Sequence, residues 1–335
     1  MKVNPPYLLF LGNVTDVLSV KIANSIVDWR PELCIGELRL PDCTITKGLP
    51  QLSVKEAKAK GANTLLLTVN NSGGYIEADW IPAILDALDA GLDIASGMHE
   101  RLSDVPEIAQ RAEQLGRQLV DVRHPSVKLR TGNGKKRTGK RLLTVGTDCS
   151  VGKMYTALAL EKEMLARGMD ASFVATGQCG IFVSGSGIAI DCVVSDFVSG
   201  AAEQLTPDAD AQHWDIVEGQ GSLSHASFAG VSLGLLHGSQ PDALVLCHAE
   251  NRTAMRGLPE YPLPGLLEAM DMNLRAARLT NPDAVFAGVS VNTSMLTAKQ
   301  ADEVLSQHSD ATGLPCIDPF RTGVNAIVDR LESAQ

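Results

Sequence analysis

At 335 residues the chain is longer than one ordinary core requires, so two domains are expected. Hydrophobic residues make up 44% and charged residues 20%, a globular balance, while 4% aromatics and 30 glycines point to α/β layers of aliphatic side chains joined by tight turns. A net charge of −10 repels a phosphodiester backbone and argues against a nucleic-acid partner.

In chain order, residues 7–11 predict a strand, 13–30 a helix, 34–40 a strand and 53–60 a helix closed by Gly61. Residues 64–69 predict a buried strand, 70–74 a polar turn and 81–90 a helix. Two further strands, 92–96 and 118–122, flank a helix at 105–115. This alternation predicts a parallel, doubly wound sheet, whose post-strand loops form the ligand-binding edge. Asn71, Gly73, His99 and Glu100 fall in such loops, where turn chemistry with Asx-type hydrogen bonds is the slightly preferred reading for each one alone. Residues 131–140, TGNGKKRTGK, contain no apolar side chain and place the boundary between domains at 1–135 and 136–335. The basic cluster Lys135, Lys136, Arg137, Lys140 and Arg141 reads as a solvated linker in preference to a phosphate strip.

Residues 141–145 predict a buried strand, followed directly by Gly146, Thr147, Asp148, Cys149, Ser150, Val151, Gly152 and Lys153. A helix at 154–167 comes next, with Met154 and Tyr155 in its first turn. Glycines at both ends let main-chain N–H groups turn inward around an anion, the helix N-terminus adds its positive pole, and Lys153 adds a full charge. A phosphate site is the prediction; a tight turn with a surface lysine is the plainer alternative. A Walker-type loop has Ser or Thr after its lysine to ligate Mg²⁺. Met154 stands there instead, and a soft thioether does not replace that hydroxyl. The phosphates of such a ligand act as a handle and not as the reacting group; coenzyme A fits, and no metal is expected.

Farther along, the strand at 214–217 ends in Glu218, then Gly219 and Gln220. Glu218 is a candidate proton acceptor beside the phosphates, or a carboxylate that merely bonds the loop. A strand at 172–176 leads to Gly177 and Gln178, and one at 188–194 carries Asp191 and precedes Asp196. A strand at 243–247 ends in His248, with Arg252 and Arg256 beyond. His248 is a candidate general base because histidine titrates near neutrality, or a half-buried residue that orients the loop. His225 and His237 read as structural. The seven cysteines show no CxxC pair and read as reduced thiols of a cytoplasmic protein. Neither a leader pattern nor a run of 18 apolar residues is visible, so membrane insertion and secretion are disfavoured.

GTDCSVGK at 146–153 and VEGQGS at 217–222 resemble the phosphate loop and acidic strand of dethiobiotin synthetases, over the second half only and without the threonine expected at 154. Over nearly the whole length the chain more closely resembles a family long labelled as of unknown function, with a Rossmann-like N-terminal and a P-loop C-terminal domain. VGTDCSVGKM at 145–154, ATGQCGIFVSG at 175–185, VSDFVSGAAE at 194–203, VEGQGSLSH at 217–225 and HAENRTAMRG at 248–257 carry that resemblance in order. The family includes the DgcN-type N-acetyltransferases, so the resemblance implies acetylation of D-glutamate with acetyl-CoA as co-substrate. The substrate comes from the resemblance alone.

On this reading the loop from Gly146 to Tyr155 holds acetyl-CoA. Glu218 or His248 takes the proton of the attacking amine, with Asp191 or Asp196 behind them. N–H groups at Gly177–Gln178 or Gly219–Gln220 stabilise the oxyanion, and Arg252 and Arg256 face the acceptor's carboxylates. The N-terminal domain is expected to close the site, and the protein to be a homo-oligomer with small-molecule partners only. An ATP- and Mg²⁺-dependent ligase or kinase, and a non-catalytic nucleotide-binding protein, remain as alternatives.

Overall fold

The structure, a computed structural model, describes residues 2–71, 73–125 and 127–333; Ser72 of the expected 70–74 turn lies outside them. The chain forms two units, residues 1–127 with 177–192, and residues 128–176 with 193–335.

The first unit is Rossmann-like. Its five parallel strands are β1 (Tyr7–Gly12), β2 (Cys34–Arg39), β3 (Thr64–Leu67), β4 (Asp93–Ser96) and β5 (Leu119–Asp121), in the order β2-β1-β3-β4-β5. Each is an apolar run bounded by polar or glycine turns, and the core between sheet and helices gathers Leu8, Phe10, Leu65, Leu67, Trp80, Ile84, Ile94 and Ile108. Helix Val54–Ala59 starts at a capping box in which Ser53 and Glu56 bond reciprocally. The helix expected over 13–30 covers only Lys21–Trp29, because Asp16 accepts both the N–H and the hydroxyl of Ser19 at 2.9 Å and holds the preceding segment in a tighter turn.

Residues 177–192 depart from the expected linear division at 135. Helix Gln178–Ser184 packs on Lys21–Trp29, and Arg123 ties the segment down with Nη1 2.9 Å from Asp191. The strand expected at 188–194 is absent: Ile190–Cys192 is a 3-10 turn, and Ile188, Ala189 and Ile190 are buried without joining a sheet.

The second unit holds β6 (Lys140–Gly146), β7 (Ala171–Val174), β8 (Trp214–Val217), β9 (Ala243–Ala249), β12 (Val285–Asn292) and β13 (Cys316–Ile317), all parallel, in the order β13-β12-β9-β6-β8-β7. A small antiparallel hairpin, β10 (Ala254–Met255) and β11 (Leu258–Pro262), follows β9. Strand β6 is thus flanked by β8 and β9, and whatever follows these strands meets at one edge of the sheet. The basic stretch at 135–141 is solvated only at its start, where Lys135 and Lys136 are exposed; Arg137 and Arg141 are drawn into the fold. Arg137 donates to the carbonyls of Thr206 and Gly238 at 2.7 Å, Arg141 is fully buried, and Glu203 accepts the N–H groups of Asn133 and Gly134 at 2.9 Å. Backbone carbonyls and acidic partners substitute for apolar packing there. No helix among the described residues is long and apolar enough to cross a membrane.

Candidate active site

The loop after β6 begins at Gly146, where a Cβ would lie 2.9 Å from the Asp148 carbonyl and 3.0 Å from Lys153 Nζ. Ser150 and Gly152 both take positive φ, 53° and 102°, which turns successive N–H groups toward one side. The main-chain N–H groups of Ser150, Val151, Gly152 and Lys153 meet no acceptor among the described residues. These donors sit at the start of helix Lys153–Ala166, where the helix dipole also favours an anion.

The opposite side of the loop is held by cations from the segment after β9. Arg252 Nη1 donates to Asp148 Oδ2 at 2.8 Å and to the Cys149 carbonyl at 2.6 Å, and Nη2 reaches the Ser150 carbonyl at 3.3 Å. Asp148 is fully buried and also accepts the N–H of Arg256 at 2.9 Å, while Arg256 Nη1 bonds Ser150 Oγ. Lys153 is buried, with Nζ 2.9 Å from the Asp148 carbonyl. Burial pulls its ammonium below the ordinary lysine range. The carbonyls of Asp148, Cys149 and Ser150 are therefore taken by cations, while the amides from Ser150 to Lys153 keep their hydrogen-bonding capacity for an anion.

The flanking strands deliver Glu218 and His248 at different heights. Val217 pairs with Leu143, so Glu218 lies level with Thr144, beneath the loop, where its carboxylate accepts the Thr176 N–H at 3.0 Å. Gly219 follows at a close approach: its N–H donates to Thr144 Oγ1 at 2.9 Å, and a Cβ would fall 1.6 Å from the Thr144 carbonyl oxygen. Cys247 pairs with Gly146, which puts His248 at the height of Thr147, whose hydroxyl lies 3.0 Å from His248 Nδ1. His248 Nε2 is 3.7 Å from Glu250 Oε2, and the same oxygen is 2.9 Å from His308 Nε2. Burial lowers the pKa of His248 from its usual 6.5, opposed by the charge of Glu250.

Asp148, Cys149 and His225 offer ligand atoms within 4.8 Å of one another, a geometry compatible with a metal ion. Their bonds point elsewhere. His225 Nδ1 accepts the Ser227 N–H at 3.1 Å, which leaves Nε2 to donate to the Arg256 carbonyl at 3.1 Å. With both ring nitrogens used and Asp148 paired to Arg252, the group reads as part of the clamp on the loop.

A strand–loop–helix of this form, central in a parallel sheet, belongs to a chain with clear relatives among known proteins. Residues 128–328 match the family described as Domain of unknown function (DUF1611_C) P-loop domain, and residues 39–125 match Domain of unknown function (DUF1611_N) Rossmann-like domain. The chain belongs to the DUF1611 family. The crystal structure of a DUF1611 family protein from Anabaena variabilis is 29% identical, with a TM-score of 0.85 over 98% of this chain and all of that one. Among curated proteins, a D-glutamate N-acetyltransferase of Pseudoalteromonas sp is 55% identical over 99% of this chain and 100% of its own length. A second, from Tritonibacter scottomollicae, is 50% identical over 98% and 99%.

Within this DUF1611 chain the residues singled out from sequence do not all converge. The loop from Gly146 to Lys153, Glu218, Gln220, His248, Arg252 and Arg256 share the carboxyl edge of the second sheet. Asp191 is exposed and ion-paired with Arg123 in the first unit. Asp196 is exposed in the 3-10 turn Ser195–Phe197. Gly177 caps helix Gln178–Ser184 in the first unit, and the Gln178 amide bridges the Gly97 carbonyl and Arg123. Asn71 and Glu100 are occupied by turn chemistry, bonding the backbone of Tyr75 and Ile76. His308 was invisible from sequence. It lies on helix Ala298–Thr312, and only the fold brings it to Glu250.

Proposed function

We propose that the chain transfers the acetyl group of acetyl-CoA to the amino group of D-glutamate. The observation that carries this reading is the end-to-end identity of 55% with a protein named D-glutamate N-acetyltransferase. The site supports it physically. The amides of Ser150 to Lys153 and the Lys153 ammonium form a cradle for the phosphates of the donor, and Met154 offers no hydroxyl to a magnesium ion.

In the reaction the free amine attacks the thioester carbonyl, the tetrahedral intermediate collapses, and the coenzyme thiolate leaves and is protonated. His248 takes the proton lost by the amine. Its burial keeps the imidazole neutral near pH 7, the state a base must be in, and its lesser depth relative to Glu218 favours it of the two. Thr147 fixes the ring through Nδ1 and leaves Nε2, 3.7 Å from Glu250 Oε2, to take the proton, while Glu250, backed by His308, stabilises the imidazolium that forms. Glu218 holds Thr176 and balances the charge of Lys153. Since the Gly219 N–H is already given to Thr144, Gln220 is the donor of that pair left for the oxyanion. Arg252 clamps the loop, and the exposed Arg256 is the cation offered to a substrate carboxylate.

Release of free thiol from acetyl-CoA in the presence of D-glutamate, compared with L-glutamate, tests the assignment. D-glutamate-dependent thiol release supports it. Absence of release with any amino acid refutes it.

A further inference from the structure

Phe320 follows β13 at the carboxyl edge of the second sheet and exposes 70% of its surface. The turn that carries it is closely fixed. Buried Asp318 accepts the Phe320 N–H at 2.9 Å, the Thr293 N–H at 3.0 Å and the Thr293 hydroxyl at 2.5 Å. The Thr322 hydroxyl accepts the N–H of Asp318 at 3.0 Å, and Arg321 Nη2 donates to the Leu296 carbonyl at 2.7 Å, tying this turn to the loop after β12. That loop presents a second exposed apolar side chain, Met295. A turn so closely fixed, leaving the Phe320 ring 70% exposed, offers that ring to a ligand.

The ring lies against an aromatic side chain. Tyr155 lies 5.5 Å away, centroid to centroid, at an interplanar angle of 52°. Tyr155 is two residues beyond Lys153 in the first turn of the helix, so the aromatic pair starts about 3 Å along the helix axis from the lysine. A ligand whose phosphates rest on the loop has to carry its next group across this short distance. An apolar, uncharged aromatic platform there suits a flat neutral ring, and a purine base presents such a face.

We infer that Phe320, braced by Tyr155, is the platform on which the adenine ring of the donor stacks. The inference rests on the acyl-CoA reading of the loop and deepens it, assigning recognition of the base to a residue outside the phosphate motif.

Calorimetric titration of the full chain and of Phe320→Ala and Phe320→Trp, with coenzyme A and with 4′-phosphopantetheine, tests it. Base–aromatic stacking is worth about 1–3 kcal/mol by alanine substitution, so Phe320→Ala is expected to weaken coenzyme A about 5- to 150-fold. Phe320→Trp restores binding, and 4′-phosphopantetheine, which lacks the base, binds all three forms equally. Unchanged affinity of Phe320→Ala for coenzyme A overturns the platform, as does an equal loss for 4′-phosphopantetheine, which marks a structural role. Should the unaltered protein bind no coenzyme A, the acyl-CoA reading fails, and ADP becomes the deciding probe. ADP binding weakened by Phe320→Ala upholds the platform, and no such weakening removes it.

Discussion

His248 shows how placement sets chemistry for a single side chain. One ring nitrogen is fixed by Thr147, the other faces Glu250, and burial holds the pKa below 6.5. On the proposed mechanism the neutral ring is the active form, so kcat/KM is expected to fall as pH drops through that lowered pKa, with the midpoint of the acidic limb below 6.5. Glu250, His308 and Arg252 are the charged or titratable groups acting on the ring, and Glu250 alone raises its pKa. Glu250→Gln therefore moves the acidic limb to lower pH, readable in a pH–rate profile; a move to higher pH contradicts the assignment. His248→Asn lowers kcat by about 10²–10⁴-fold, the usual worth of a positioned proton acceptor, while coenzyme A binding survives. Glu218→Gln keeps kcat within about tenfold; a loss as large as that of His248→Asn transfers the role of base to Glu218. In the proposed site Lys153 would contact phosphates equally in ground and transition states, so Lys153→Ala is expected to raise KM for acetyl-CoA with only a modest change in kcat. A large fall in kcat at unchanged KM would place the lysine at the reacting carbonyl.

Among the elements, β6 and its neighbours depend on close approach. A methyl group at residue 219 would overlap the Thr144 carbonyl at 1.6 Å, against backbone that cannot rotate away. Gly219→Ala is expected to cost at least about 2 kcal/mol, seen as a lowered midpoint in urea, since overpacking of this kind forces main-chain shifts. A midpoint unchanged by the substitution would show that β6 and β8 separate freely. The loop–strand–helix pattern was legible in sequence because it is local: apolar runs, glycine punctuation and helical periodicity lie within thirty or so residues of one another. Strands expected at 7–11 and 34–40 are found at Tyr7–Gly12 and Cys34–Arg39. What failed is non-local. Ile188, Ala189 and Ile190 are buried within the first unit, and Asp191 meets Arg123, 68 residues away in sequence. The polar stretch at 131–140 looked like a linker because its partners, Glu203, Thr206 and Gly238, come from other elements. His308 reaches Glu250 across 58 residues, which no local pattern announces.

For the molecule as a whole, a ligand that binds only the folded state stabilises it by mass action. Coenzyme A at 100 times its Kd should add about 2.7 kcal/mol, and this shift in thermal melting should appear without added metal. A shift strictly dependent on Mg²⁺, or given by ATP alone, would favour the nucleotide-cleaving alternative. The family match places this chain among DUF1611 proteins, and the proposed function makes its P-loop a holder of phosphates, not their cleavage machinery. That is the central claim, and mass spectrometry of the product tests it most directly. The protein is incubated with D-glutamate and either acetyl-CoA alone in the presence of a chelator, or ATP, Mg²⁺ and acetate. The account predicts N-acetyl-D-glutamate and an equal amount of free coenzyme A in the first mixture and no acetylated product in the second. Product formed only in the presence of ATP and Mg²⁺ would contradict it.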